Sequence, residues 1–207
     1  MKKKQLLKSV TINEFERTYN KCLFWFFAYP RSRIGLNDLT KSINSSKTAT
    51  KKAVELLIKD AFLTREIIGK SWILLANQKH NYILSKKMPY HLSKIYESGI
   101  VDIIYKTLPQ TRTIVLFGSY RWGTDIETSD IDIAVETLDN KELEIKQLGT
   151  IGTLGYRKNI VINMHIFSRK KIDLNLFANI ANGIILDGFL EVKSWMKELN
   201  IQIEKMP

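Results

Sequence analysis

The residues best suited to chemistry lie between Gly118 and Asp132. A Gly-Ser pair, Gly118 and Ser119, follows the apolar run 113–117, and after ten further residues come Asp130 and Asp132. A glycine at a strand end lets a phosphate approach the backbone, and the serine can donate hydrogen bonds to phosphate oxygens from its hydroxyl and its N–H. We therefore predict a phosphate-binding turn after a buried strand. The alternative is an acidic hairpin loop with an accidental Gly-Ser.

The segment after this turn is predicted to be a strand that presents two carboxylates together. The first four residues of the run 130–135 alternate polar and apolar, which is typical of a half-buried strand. Asp130 and Asp132 then project from one face, about 6.6 Å apart along the strand, and can share one metal ion or flank two. Oxygen-only ligands favour Mg²⁺ or Mn²⁺ over zinc. A phosphate cradle beside such carboxylates is what phosphoryl transfer requires.

This spacing, GS-x10-DxD, resembles the motif of the small prokaryotic minimal nucleotidyltransferases of the DNA polymerase beta superfamily. The resemblance covers about residues 100–190 and implies a mixed β-sheet with helices against it. It implies that Gly118 and Ser119 hold nucleotide phosphates and that Asp130 and Asp132 hold divalent ions. The implied reaction is attack on the α-phosphate of an NTP with loss of pyrophosphate.

The chain departs from that family at two places. Where the family often has an arginine in the turn, this chain has Trp122, and Arg121 just before it is a candidate phosphate ligand. The family's third carboxylate has no acidic counterpart in the predicted strand 160–167, where Asn163 takes the position and His165 lies one pleat further on. Asparagine cannot act as a general base near neutral pH, whereas a neutral histidine can. Either the base is recruited elsewhere, with His165 as a candidate, or the site binds nucleotide and turns over poorly.

A second module is predicted at the N-terminus. Apolar spacing predicts helices at 11–29, 34–43 and 47–60, and two β-rich runs at 62–68 and 71–75 flank a two-residue loop, Gly69-Lys70. This order resembles a winged helix-turn-helix domain, in which the third helix enters the major groove and the wing contacts the DNA backbone. The alternative is a winged helix used for dimerisation or protein contact. The resemblance implies that these residues face duplex DNA: Lys47, Thr48, Lys51, Lys52 and Lys70.

The charge distribution supports two modules with different partners. The formal net charge is +11, and residues 1–95 carry 19 Lys and Arg against 6 Asp and Glu, whereas residues 96–207 carry 13 against 15. A basic module attracts polyanions and tends to bind nucleic acid. The alternative is that the lysines only keep the module soluble.

The predicted organisation is an α+β chain with two domains. A winged helix-turn-helix domain occupies residues 1–78, a polar connector in which Pro89 breaks any helix occupies 79–92, and a nucleotidyltransferase domain occupies 93–207. Within the last domain we expect a helix at 91–107, a helix at 170–182, a hairpin about Asp187-Gly188 and a terminal helix at 193–205.

Three functions follow from these modules. The first is transfer of a nucleoside monophosphate from an NTP to a protein hydroxyl or a nucleic acid; the enzymes that the chain resembles include some that modify partner toxins. The second is a DNA-binding, antitoxin-like regulator whose transferase domain is degenerate and binds nucleotide or a partner. The third is an RNA-modifying enzyme. The lone Cys22 excludes an intrachain disulfide, no apolar run is long enough for a membrane helix, and no secretory signal is apparent. We expect a cytoplasmic protein with no membrane partner, for which a homodimer is one option.

Overall fold

The structure, a computed structural model, describes residues 14–139 and 142–191, which pack as two compact units. The first unit contains the described residues up to Tyr90 together with Thr124–Ser129 and Thr153–Lys158. The second contains His91–Gly123 and the remaining described residues from Asp130 on. The domain bounds 1–78, 79–92 and 93–207 stay a prediction. The predicted helix at 193–205 lies outside the described residues, as do the first three residues of the predicted helix at 11–29.

The first unit has three helices and a small sheet. The elements are α1 (Glu14–Ala28), β1 (Ile34–Gly35), α2 (Leu36–Ser42), α3 (Lys47–Lys59), β2 (Leu63–Ile68) and β3 (Ser71–Ala76). The strands pair antiparallel in the order β1-β3-β2. The predicted helices and hairpin are confirmed; only β1, which replaces the start of the predicted second helix, was not expected. The winged helix-turn-helix assignment stays a prediction.

Local sequence explains where these elements begin and turn. Ser46 caps α3, because its Oγ accepts a hydrogen bond from the backbone N–H of Ala49 at 3.2 Å. Gly69 has a φ of 60° at the β2–β3 turn, a conformation that suits glycine. The apolar stripe of α1, including Cys22, Leu23 and Phe26, is buried in the core of the unit. Burial raises the pKa of the Cys22 thiol to about 12, so this residue is a core side chain and not a nucleophile.

The predicted polar connector is helical, which corrects the expectation from Pro89. A π-helical segment, Ile83–Lys87, runs directly into α4 (Met88–Glu97). Pro89 is the second residue of α4, so the helical run continues through the proline and does not break there. The single helix predicted at 91–107 is divided in two, since Gly99 adopts a φ of 71° and α5 (Ile100–Thr107) begins after it.

The second unit is built on a mixed five-stranded sheet. Its strands are β4 (Thr111–Phe117), β5 (Ile131–Thr137), β6 (Glu144–Leu154), β7 (Arg157–Phe167) and β8 (Ile184–Gly188), in the order β6-β7-β5-β4-β8. β5 and β7 are parallel, whereas β4 is antiparallel to both β5 and β8. The helices α6 (Gly118–Trp122) and α7 (Leu174–Ala181) follow β4 and β7. The predicted α+β class with a mixed sheet and helices is confirmed.

Two strands of this sheet differ from expectation. β6 was not predicted, because its residues are mostly exposed and carry no clear alternation. The hairpin predicted about Asp187-Gly188 is wrong: β8 is a single strand that pairs with β4. Gly188 has a φ of 80°, and a Cβ there would lie 2.1 Å from the carbonyl oxygen of Arg112, so the glycine serves close strand contact.

The core of the second unit lies on both faces of the sheet. The predicted apolar face of β7 is confirmed by burial of Ile160, Ile162, Met164 and Ile166. The opposite face packs against α7 through Phe117, Ala134, Phe167, Phe177 and Ile180. Within residues 14–139 and 142–191, no helix is both long and apolar enough to cross a membrane.

Candidate active site

The turn at the end of β4 accepts only a glycine. Gly118 has a φ of +70°, and a Cβ built on it would lie 2.7 Å from Oδ2 of Asp132. Its position therefore needs both the backbone freedom of glycine and the absence of a side chain. Ser119 follows as the second residue of α6 and is half-buried, so a helical turn begins where the Gly-Ser pair was predicted to meet phosphate.

The two motif aspartates lie beside this turn. Asp132 is paired in register with Phe117 of β4 on one side and with Asn163 of β7 on the other. Ile131 and Ile133 are fully buried, while Asp130 is exposed and the side chain of Asp132 is 30% exposed. The predicted alternation is therefore confirmed, and both carboxylates share the open face.

Two polar side chains of β7 contact these carboxylates. Asn163 Nδ2 donates a hydrogen bond to Oδ2 of Asp130 at 3.3 Å. His165 Nε2 lies 3.4 Å from Oδ1 of Asp132. The structure thus brings together all four residues that the sequence proposed for catalysis, and each β7 residue faces a different aspartate.

The orientation of His165 bears on its role as a base. Its ring packs edge-on against Phe117, with the centroids 4.9 Å apart, and its Nδ1 is buried without a hydrogen-bond partner among the described residues. If Nε2 carries the proton that is donated to Asp132, the basic lone pair is on the buried Nδ1. A base must reach the proton that it removes. The geometry therefore favours His165 as a residue that orients Asp132.

The charge at the site fits a divalent cation. Neither Asp130 nor Asp132 has a lysine or arginine partner in the described part of the chain, although the chain is strongly basic. Two carboxylates and the Asn163 amide oxygen are hard donors, and Mg²⁺ is usually held by one or two carboxylates together with substrate phosphates and water. Among residues 14–139 and 142–191 there is no cluster of three or more His, Cys, Asp or Glu side chains placed to hold a metal. The donors thus fit a Mg²⁺ or Mn²⁺ ion that shares its coordination with the substrate.

Arg121 is engaged beside α7. Its Nε donates a hydrogen bond to the carbonyl of Asn182 at 2.7 Å, and its guanidinium lies 3.9 Å from the centroid of the Trp122 ring. These contacts hold Arg121 against Trp122 and the end of α7. A phosphate contact by Arg121 stays a prediction.

The loop between the two motif halves is anchored in the first unit. Lys87 and Asp125 are each 1% exposed and form an ion pair of 2.9 Å, and Lys87 also donates to the Asp125 carbonyl. Arg157 donates to the carbonyl of Ser129 at 2.6 Å, and Glu127 accepts from the backbone N–H of Arg31. The segment 125–132 holds four acidic residues; Asp125 and Glu127 anchor the loop, and Asp130 and Asp132 face the site.

Desolvation is the largest cause of the pKa shifts of Lys87 and Asp125. It raises the pKa of Asp125 and lowers the pKa of Lys87, and the attraction between the two groups opposes both changes. Sequence reasoning missed Lys87 and Arg157, because nothing in their local sequence distinguishes a buried cation from the many surface ones.

The predicted DNA-facing residues form a basic surface on the first unit. Those on α3 are all exposed, and Lys70 lies at the β2–β3 turn: Lys47, Thr48, Lys51, Lys52 and Lys70. A cleft of about 510 Å³ brings Lys47, Lys51 and Lys70 together with Arg33 and Trp72. Lys51 and Arg65 both lie over the Trp72 ring. Helix and hairpin thus contribute to a single basic cleft; Thr48 and Lys52 lie outside its lining.

A known family and a known sequence match this chain, the family over the part that holds this site. Residues 97–180 match the model of a nucleotidyltransferase domain, a range that contains the glycine turn, both aspartates and the two β7 residues. A stretch of 52 residues is 42% identical to the protein adenylyltransferase MntA of Shewanella oneidensis, covering 24% of this chain and 37% of that protein. The chain thus matches little more than a third of that relative's length. Both matches support placing this part of the chain in the nucleotidyltransferase superfamily.

Proposed function

We propose that this protein transfers a nucleoside monophosphate from an NTP, preferably AMP from ATP, to a hydroxyl group of another macromolecule. The observation that carries the proposal is the close approach of Gly118 to Asp132. A side chain at 118 would clash with Asp132, so the turn keeps a bare backbone directly beside the carboxylate, and a phosphate can approach that backbone. Adenylyl transfer is suggested by the relative named protein adenylyltransferase.

In this proposal the triphosphate is held by the turn. Ser119 donates from its hydroxyl and backbone N–H, and the missing side chain at Gly118 lets phosphate oxygens approach the backbone. Asp130 and Asp132 hold Mg²⁺ or Mn²⁺, which when bound supplies charge neutralisation at the reacting phosphate. Asn163 and His165 orient the two carboxylates through the contacts at 3.3 and 3.4 Å. Fixing these groups before the substrate binds reduces the reorganisation that the reaction requires.

The acceptor in the proposal is a protein hydroxyl, for which a partner toxin is the specific candidate. The printed name of the relative specifies a protein acceptor, and a nucleic-acid hydroxyl is the alternative. The basic cleft on the first unit then serves to recruit a polyanion rather than to do chemistry.

Transfer can be tested with ATP labelled at the α- or γ-phosphate, incubated with Mg²⁺, the protein and cell extract. We expect the α-label to become covalently attached to a macromolecule and the γ-label to leave with pyrophosphate. Asp130→Asn and Asp132→Asn should abolish attachment, whereas the matched variant Asp102→Asn, at an exposed position of α5, should not. Attachment of the γ-label, or none from wild type, contradicts the proposal.

A second function, duplex DNA binding through the basic cleft, rests on the convergence of Lys47, Lys51 and Lys70. Loss of each phosphate contact should flatten the slope of log affinity against log salt by about 0.9. The variant with Lys47, Lys51, Lys52 and Lys70 changed to alanine should therefore lose most DNA affinity. A charge-matched control changes four other exposed lysines: Lys79, Lys106, Lys158 and Lys170. Equal losses of DNA affinity in both variants would indicate diffuse electrostatic attraction and not a specific site.

DNA binding with no nucleotide transfer would favour an antitoxin-like regulator with a degenerate transferase, whereas a preference for RNA would favour RNA modification.

A further inference from the structure

A cavity beside the glycine turn has the features of a nucleobase site. It has a volume of about 450 Å³ and is lined by Phe117, Gly118, Trp122, Asn179 and Asn182. Cavities of this size accommodate small ligands. Because Gly118 belongs both to the cavity wall and to the turn beside Asp132, a group in the cavity is next to anything bound at the turn.

Trp122 offers this cavity an aromatic surface. Trp122 is 51% exposed, so part of its ring surface is accessible. Arg121 stacks on the ring at 3.9 Å and is fixed by its hydrogen bond to Asn182, so the ring is held from one side. Trp122 lines the cavity, whereas Arg121 does not. A fixed, half-exposed ring is a stacking platform for a base.

Asn179 offers the cavity an uncommitted amide. The structure gives its side chain no hydrogen bond within the described residues, whereas Asn182 already donates its Nδ2 to the carbonyl of Ala178 at 2.8 Å. The position of Asn179 is fixed, because α7 is capped by Asp173 and its neighbour Ile180 is buried against the sheet. The helix therefore fixes the backbone of Asn179 at the cavity, and the exposed amide offers a donor and an acceptor there.

We propose that this cavity binds the adenine base of ATP, with Trp122 stacking on the base and Asn179 pairing with its 6-amino edge. An asparagine amide pairs with adenine through N6 and N7, one donor and one acceptor, whereas guanine presents two acceptors, O6 and N7, along that edge. Pyrimidines offer a smaller ring to the tryptophan. This assignment rests on the proposed nucleotidyl transfer and adds the residues that select the base.

The test measures Mg²⁺-dependent binding of ATP, GTP, CTP, UTP and inorganic triphosphate to the full chain by calorimetry. Wild type should bind ATP most tightly. Asn179→Ala should reduce the ratio of ATP to GTP affinity about 5- to 100-fold and leave triphosphate binding unchanged. Trp122→Ala should weaken the binding of all four nucleotides about 5- to 100-fold, and Trp122→Phe should recover much of the lost affinity. The control is Asn175→Ala, which changes an exposed asparagine on the same helix but outside the cavity. It should change neither the ratio of ATP to GTP affinity nor the affinity for any nucleotide.

The outcomes separate this site from the transferase itself. Intact triphosphate binding with equal affinity for all four nucleotides, or an unchanged ratio in Asn179→Ala, overturns the base site and spares the proposed transferase. Failure of wild type to bind triphosphate and every NTP overturns both.

Discussion

Gly118 and Asp132 are in contact across the β4–β5 pair, so closely that a methyl group on Gly118 would lie 2.7 Å from the Asp132 carboxylate. The backbone of Gly118 is also in the left-handed region, with a φ of +70°. These two constraints make the position the most demanding one in the candidate active site.

The first prediction is that Gly118→Ala removes nucleotide binding. The left-handed backbone should cost alanine roughly 1–2 kcal/mol, and the methyl group should displace Asp132 from its place. We expect a lower melting temperature and loss of the Mg²⁺- and ATP-dependent increase in melting temperature. Gly152→Ala is the control, because a Cβ there meets nothing within 4 Å. A retained nucleotide-dependent shift in Gly118→Ala would show that the turn does not hold the phosphates.

The second prediction is that the site aspartates are not structural. Asp130 and Asp132 carry like charges without a lysine or arginine partner in the described ranges, so Asp130→Asn or Asp132→Asn should leave the stability of the metal-free protein unchanged or raise it. The same changes should abolish the melting shift with Mg²⁺ and ATP. Loss of basal stability by more than about 1 kcal/mol in either variant would indicate an ordinary structural pair.

The third prediction concerns the buried pair Lys87 and Asp125. Removing one partner leaves the other charge buried without this ion pair, so Lys87→Met or Asp125→Leu alone should lower the free energy of unfolding, by up to about 3–5 kcal/mol. The double variant should recover part of this loss, because both desolvation costs disappear although Arg157 loses its attraction to Asp125. Chemical denaturation of the four proteins measures the coupling, and additive losses would contradict it.

The same pair should make stability depend on pH. Because burial raises the pKa of Asp125, stability associated with its protonated form is lost as the pH rises through the folded-state pKa. Because burial lowers the pKa of Lys87, stability is regained at alkaline pH, towards the pKa of about 10.4 of an unfolded lysine. Relative to the double variant, wild type should be least stable at pH values where both Asp125 and Lys87 are charged in the folded protein, and more stable at lower and at higher pH. A difference that does not change with pH would argue that the pair behaves as an exposed one.

The fifth prediction separates the roles of the two β7 residues. His165→Gln keeps a donor for Asp132 but removes the base, so transfer should fall less than tenfold if His165 orients Asp132. A fall of about 10²–10⁴-fold in transfer rate would identify His165 as the general base.

Asn163→Asp adds a third carboxylate beside Asp130, which should lower metal-free stability and raise Mg²⁺ affinity. Increased transfer in that variant would show that the native site is limited by its missing acid, and Asn175→Asp is the matched control.

The sequence predicted the residues of the candidate site better than it predicted the contacts that hold the surrounding loop and helices in place. The glycine turn and the alternation about Asp132 follow from short-range rules of spacing and period, whereas the place of Asn163 beside the motif strand was implied by the resemblance to the nucleotidyltransferase family. Lys87 and Asp125 are 38 residues apart and meet only through tertiary packing, for which neither local sequence holds a signal. Pro89 misled because the π-helical segment before it continues directly into α4, and no local signal in the sequence indicates such a segment.

The Lys87–Asp125 pair also has a consequence for how such chains can recombine. Lys87 belongs to the N-terminal stretch, while Asp125 lies inside the segment that separates the glycine turn from the aspartates. Exchange of the first ninety residues between related chains would transmit only one half of a buried ion pair. Hybrids should then be viable only when both parents have the same pairing at 87 and 125, or when both replace it with apolar residues. The N-terminal basic module and the loop between the glycine turn and the aspartates should therefore be inherited together.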